Sequence, residues 1–451
     1  MTNENDFMKT KPIMSLLVSM SVPMMLSMLF QSLYNIVDSV YVSRLGTDAL
    51  TAVSLAYPLQ NAVLSVAVGI GVGISSAIAI HLGANDHEKA NRTATLGLML
   101  NFFHCILFVI FGLIVTTPFL KLFTNDPTIL SEAESYTRIV LLVSFGQLFQ
   151  ITFEKIFQGI GKMKITMIIL IFGCLVNIIL DPILIFGLLG FPAMGVSGAA
   201  IATVIGQISA FLLYIVVYLK KDFAIKISPK YLKPDITLIK QIYSVGIPSS
   251  IMLLLPSIMI SILNSILAAF SAVYVAVLGV YFKLQTFIYM PANGLVQGMR
   301  PIISYNYGAE KPERVKRTIR LSLAITAVLM LIGTLLALII PEQILSIFAA
   351  DDELMSAGVV SLRVISLGFI ISSVGIIYSG TFEALGNGRD SLIISLLRQF
   401  IITIPLSFVL SKISVLGPVG VWISFPVGEV IATITAFFLL KKFKGGKYSP
   451  F

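Results

Sequence analysis

Gln31-Ser32-Leu33-Tyr34-Asn35-Ile36-Val37-Asp38 sits near the end of a long apolar run that begins at Ile13. As a helix it puts Gln31, Tyr34, Asn35 and Asp38 at i, i+3, i+4 and i+7, on one face. A carboxylate at the centre of a hydrocarbon-length helix costs about 2.5–3.5 kcal/mol or more. An acid held at that cost is a candidate functional group by default, and the rest of the chain supplies its context.

The chain has 451 residues, 57% hydrophobic and 12% charged. Soluble domains carry about a quarter charged residues, so this composition excludes one. Repeated apolar runs of about 20 residues are read as membrane helices. The first run is too long, and too polar in its second half, for a cleaved leader, so it is taken as the first membrane helix. The net charge of +9 does not point to nucleic acid, because Lys and Arg concentrate in alternate connections, as they do in membrane proteins. Cys105 and Cys174 lie inside apolar runs and are read as small buried hydrophobes. His81, His87 and His104 lack metal-ligand spacing, and no resident cofactor is expected.

Twelve helices are expected, at 13–42, 49–82, 93–118, 134–154, 165–187, 195–219, 239–268, 273–299, 317–340, 355–382, 390–411 and 418–440. Basic residues crowd the connections after the even-numbered helices, the chain start and the tail. By the positive-inside rule both termini are then cytoplasmic and the protein is a multi-pass protein of the cell's inner (plasma) membrane. The longest polar connection, 220–238, divides an N-terminal lobe (1–219, six helices) from a C-terminal lobe (239–451, six helices).

An internal repeat supports that division. The segment from His81 to Thr93 resembles the segment from Asn306 to Thr318, with Gly83 falling on Gly308, a shift of 308 − 83 = 225. The same shift carries Pro23 onto Pro248, Arg138 onto Arg363, Phe157 onto Phe382 and Gly161 onto Gly386. Six helices per half means that both halves enter the membrane in the same sense, as parallel repeats, with a cavity expected at their interface. The fold class is therefore an all-α membrane protein of twelve transmembrane helices in two six-helix lobes.

The intramembrane acids are one-sided. Asp38 falls on Leu263 and Asn35 on Ile260. A second acid, Asp181 in Asn177-Ile178-Ile179-Leu180-Asp181-Pro182, falls on Leu406, and Asn177 falls on Ile402. Asn177 and Asp181 share a face at i, i+4, and Pro182 is expected to disturb the helix at Asp181. Asp38 lies about eight residues before Gly46 and Asp181 about nine before Gly190, so at about 1.5 Å per residue the two sit at similar depth. Carboxylates brought together in a low-dielectric site titrate as a coupled pair, which suits binding of a proton or Na⁺. A fold-stabilising acid capped by amides is the plainer alternative. Pro23 removes a helical hydrogen bond and is read as a hinge. Met28, one turn before the polar face, is read as adaptable lining, with lipid-facing packing at least as common for such a methionine. Glu154 beside Lys155 is read as an ion pair as readily as a site. Lys283, in mid-helix, is costly there and is read for a structural or gating role as readily as for none.

These residues resemble the multidrug and toxic compound extrusion (MATE) transporters, in their DinF-like prokaryotic branch. The resemblance rests on Pro23, on Gln31–Asp38 with the following Ser-Val-Tyr-Val-Ser-Arg-Leu-Gly, on Asn177–Gly187, on the paired segments at Gly83 and Gly308, and on Leu397-Arg398-Gln399. It spans essentially the whole chain. It implies two six-helix lobes around a cavity and export of cationic, amphiphilic compounds in exchange for H⁺ or Na⁺. It further implies a cation site at Asp38, Asn177, Asp181 and Thr203, cavity positions at Gln31 and Tyr34, and a bending proline at Pro23. Asn35 and Met28 are placed with the substrate cavity.

The expected function is a cation-coupled multidrug efflux antiporter, active as a monomer in the lipid bilayer, with small cationic amphiphiles as substrates. A lipid or glycolipid flippase is the second hypothesis. It would use Lys283, Arg363 and Arg398 to line a cationic cavity for phosphates. A membrane-embedded hydrolase is the third, but the chain offers no nucleophile–base or metal constellation for it, and the protein is not expected to be an enzyme.

Overall fold

The computed structural model describes residues 7–348 and 351–450, and those residues form no strand. Twelve spans follow one another. They are α1 (Ile13–Ser43), α2 (Thr47–Gly83), α3 (His87–Leu120), α4 (Pro127–Leu142 continuing as Phe145–Gly159), α5 (Met163–Phe186) and α6 (Gly195–Lys220). Then come α7 (Ile236–Ala268), α8 (Ala272–Gly308), α9 (Pro312–Ile339), α10 (Asp352–Ser366 continuing as Phe369–Ala384), α11 (Gly388–Ser411) and α12 (Val419–Lys442). Ten are single helices long and apolar enough to cross a membrane, and α4 and α10 are pairs bent by 46° and 52°.

Several helices outrun their hydrophobic stretch. The run expected at 93–118 is a helix from His87, because Asp86 caps it by accepting from Lys89 N–H at 3.0 Å. Hydropathy marks only the part that matches the bilayer, whereas caps set the real ends. Pro182 does not disturb α5. The helix continues to Phe186, and the proline only withholds a donor from the turn before it. Likewise α1 runs unbroken through Pro23.

The repeat is visible in the backbone. Asn85 (φ 63°) and Glu310 (φ 52°), one shift apart, are both left-handed. Asp86 N–H donates to His81 O and Lys311 N–H to Asn306 O, each at 2.9 Å. Gly161 and Gly386 repeat the device with φ of 73° and 79°. The bends of α4 and α10 fall at matching positions.

The chain forms two compact units. The first holds Leu26–Ser250 with residues 7–9, and the second holds Thr10–Met25 with the chain from Ile251 onward. The boundaries cut inside α1 and α7, just past Pro23 and Pro248, instead of in the polar 220–238 connection. Glycines make this exchange possible. In the first unit a Cβ on Gly69 of α2 would overlap the backbone of Ser250 in α7. In the second, a Cβ on Gly294 of α8 would overlap the backbone of Met25 in α1, and Ser21 Oγ reaches Leu295 O at 3.4 Å. Gly69 and Gly294 are themselves one repeat shift apart.

The polar connection belongs to the first unit. Asn91 of α3 accepts from Lys226 N–H at 2.6 Å, Tyr218 Oη accepts from Ile227 N–H at 2.7 Å, and Arg92 pairs with Asp235 at 3.2 Å. The first two bonds satisfy backbone donors that an irregular segment would otherwise leave open.

Candidate functional site

In the first unit α5 and α6 pack closely. A Cβ on Gly206 would stand 2.9 Å from Gly173 O and 3.1 Å from Asn177 Cβ. That approach brings Thr203 to Asn177, whose Nδ2 donates to Thr203 Oγ1 at 3.3 Å and lies 3.4 Å from Asp181 Oδ1. Asp181, Asn177 and Thr203 are 0%, 2% and 4% exposed. From α1, Asp38 comes close enough to Asp181 for the two carboxyls to interact. Asp38 and Asp181 stand 43 − 38 = 5 and 186 − 181 = 5 residues from the ends of their helices, which agrees with the similar depth expected of them.

Three acceptors of this cluster are buried with no hydrogen-bond partner: Asp38 Oδ1, Asp181 Oδ2 and Asn177 Oδ1. An unpaired buried carboxylate oxygen is costly, so the arrangement calls for a proton or a cation. No group of three or more His, Cys, Asp and Glu is found among the described residues. An ion here would therefore rest on two carboxylates plus amide and hydroxyl oxygens, a hard-cation donor set.

Tyr34 lies near the cluster, close enough to interact with Asp38 and Thr203. Gln31 and Asn35 do not join it. They stay at the exposed surface of α1, with Asn35 O accepting from Ser39 Oγ at 2.8 Å. Met28 is half-buried. Sequence reading missed Tyr136 of α4, which is 4% exposed, packs in one cluster with Val42 and Ile185, and is near enough to interact with Asp38, Asp181 and Gln60. The only signal for it was a tyrosine in an apolar helix, whose hydroxyl must find a partner.

Other polar residues resolve into pairs. Lys155 Nζ binds Glu154 Oε1 at 2.9 Å and Gln158 Oε1 at 3.0 Å, so Glu154 belongs to a buried ion pair. His81 meets Gln241 at 3.0 Å and His104 meets Tyr243 at 3.1 Å. In the second unit Arg300 pairs with Glu383, and Arg398 Nε donates to Glu429 Oε1 at 2.8 Å. Lys283 and Arg363 are exposed.

The comparisons with known proteins agree with this architecture. The MatE family model matches residues 23–183 and again 248–409, each match starting at one of the two paired prolines. The multidrug export protein MepA of Staphylococcus haemolyticus is 27% identical over 442 residues, covering 96% of this chain and 94% of that protein. The probable multidrug resistance protein YoeA of Bacillus subtilis is 28% identical, covering 94% and 93%. Among solved structures, the outward-facing conformation of a multidrug resistance MATE family transporter of the MOP superfamily superposes with a TM-score of 0.92 at 26% identity, over 99% of both chains. With twelve spans, a repeated half and a family match in each half, the chain belongs to the MATE family of membrane transporters, which are not enzymes.

Proposed function

We propose that the chain is a multidrug efflux antiporter that exports cationic amphiphilic compounds by alternating access, driven by inward movement of H⁺ or Na⁺. The observation that carries the reading is the trio of unpartnered buried acceptors on Asp38, Asn177 and Asp181. A cation entering from outside neutralises the two acids, with Asn177 and Thr203 supplying neutral oxygens. Neutralisation weakens the hold on a positively charged substrate and favours its outward release. Two carboxylates and two neutral oxygens serve a proton and Na⁺ alike. Tyr34 links this cluster to the face that carries Gln31, Asn35 and Met28, the proposed substrate surface. Pro23 leaves one turn of α1 short of a bond, which suits a helix that changes shape as the acids are filled. The monomer carries the whole site, both termini lie in the cytoplasm, and the membrane is the plasma membrane.

The lipid-flippase reading needs free cations for phosphates. Of its three candidates Arg398 is already paired with Glu429, which narrows that reading to the exposed Lys283 and Arg363.

The test is efflux of a fluorescent cationic dye from proteoliposomes under an imposed pH gradient or an imposed Na⁺ gradient, applied separately. Dye movement under one gradient, lost in Asp181→Asn and in Asp38→Asn, is the expected result and names the ion. Export that survives in both variants at normal expression overturns the site. Transfer of labelled lipid without any gradient overturns the antiporter.

A further inference from the structure

The second unit contains a polar arrangement that the coupling mechanism does not use. Arg398 and Glu429 stand 398 − 388 = 10 and 429 − 419 = 10 residues into α11 and α12, halfway along each span. The α-helical ladder of α11 breaks at this point. Leu397–Ile401 form a π-turn, with Ile402 N–H donating to Leu397 O at 3.2 Å, and Thr403 Oγ1 donates to Arg398 O at 2.5 Å. Such turns displace one residue out of the regular register and recur at functional sites. Gly428 lets α12 lie directly on this turn, since a Cβ there would overlap Thr403 Oγ1.

The ion pair uses only half of the carboxylate. Arg398 Nε donates to Oε1, whereas Glu429 Oε2 is buried with no partner, and Glu429 as a whole is 8% exposed. Oε2 faces Gly375 of α10. A Cβ built on Gly375 would stand 3.8 Å from Oε2, and beyond the chain neighbours and the helix's own backbone no other atom lies within 4 Å of it. A buried acceptor without a donor thus opens onto space that a missing side chain leaves free.

We propose that Glu429 Oε2 and Gly375 form a substrate subsite in the second unit that accepts a hydrogen bond from an N–H or O–H group of the exported compound. Arg398 balances the charge of Glu429, so the subsite reads a donor group and not a positive charge. Arg398 is a positioning residue: it holds the carboxylate with one oxygen turned to the gap. The proposal rests on the drug-export reading and adds to it a second feature by which substrates are told apart.

The test uses two matched dyes on the full chain in nanodiscs. Each carries one quaternary ammonium, and they differ only in whether an amide nitrogen bears hydrogen or methyl. The wild type is expected to bind the N–H dye about tenfold more tightly, the size of one hydrogen bond to a charged group. That preference disappears in Glu429→Leu, in Arg398→Leu/Glu429→Leu, which removes the acceptor and leaves no lone buried charge, and in Gly375→Ala, which fills the gap at ordinary contact distance. Equal binding of both dyes by the wild type, or a preference that survives in Gly375→Ala and in the double variant, overturns the subsite while drug export stands. Failure of the wild type to bind or move either dye overturns the export reading as well.

Discussion

The α5–α6 pair and the α11–α12 pair are built on one plan and carry different chemistry. Along the repeat shift, Asn177, Asp181 and Thr203 become Ile402, Leu406 and Gly428. The polar residues of the second pair, Arg398 and Glu429, replace Gly173 and Val204. The turns after α2 and α8 are kept to within about a tenth of an ångström in their hydrogen bonds, as at His81–Asp86 and Asn306–Lys311. What the two halves share is therefore what closes and bends the backbone. What they do not share is charge. The α5–α6 pair keeps an acid with an unpartnered buried oxygen, Asp181, whereas the α11–α12 pair sets its acid Glu429 against Arg398.

The sharpest way to break that contrast is to move the acid. Asp181→Asn is expected to abolish gradient-driven dye export, whereas Leu406→Asn, at the matching position of the other half, leaves export coupled to the same ion. Loss of coupling in both would remove the asymmetry. Packing is expected to be symmetric instead. Gly69→Leu and Gly294→Leu each force a side chain into a facing helix backbone and should cost about 1–3 kcal/mol, read as comparable drops in the thermal stability of purified protein. A large effect in one and none in the other would show that the exchanged packing differs between the halves.

Smaller differences lie in the turns. Glu310 holds a left-handed φ that Asn85 adopts more easily. Glu310→Gly should therefore stabilise by about 1 kcal/mol, and Asn85→Gly by less. The smallest effect is at the caps. Asp86 caps α3, while Lys311, its counterpart before α9, makes no side-chain cap. Asp86→Ala should cost about 1 kcal/mol and Lys311→Ala almost nothing. The Lys89 backbone N–H and then its side chain hold the Asp86 carboxyl below its ordinary value. Its folded value is thus lower than its unfolded one, so the cap contributes above the unfolded value and is lost as pH falls through the folded value. An acid titration of stability that is unchanged in Asp86→Ala would contradict this.

Much of the architecture was legible in the chain. Hydrophobic runs located all twelve spans, because a helix in lipid must satisfy its own backbone and so announces itself by length. The repeat could be found from glycines and a proline alone, since those residues answer to backbone geometry. Asp38, Asn177 and Asp181 stood out because acids and amides are costly there. Tyr136 did not, because its approach to Asp38 depends on how α4 meets α1, which no local pattern encodes. The Arg398–Glu429 pair was hidden for a related reason. Both charges were visible, but the π-turn that aims one at the other comes from packing and not from periodicity. The exchange of the first stretches of α1 and α7 was also illegible, since the glycines that receive them show only that something packs closely.

That exchange has a consequence for how the protein is made. Ser21 finds its partner Leu295 at a sequence separation of 274 residues. At about 5–20 residues per second of synthesis, the leading stretch of the first helix waits roughly 15–50 s for the segment it will pack against. Through that interval its packing face, with Ser21 and Met25, must be held by lipid, by a neighbouring helix that later gives it up, or by the insertion machinery. The amino-terminal helix, first to be synthesised, is thus among the last to be finished.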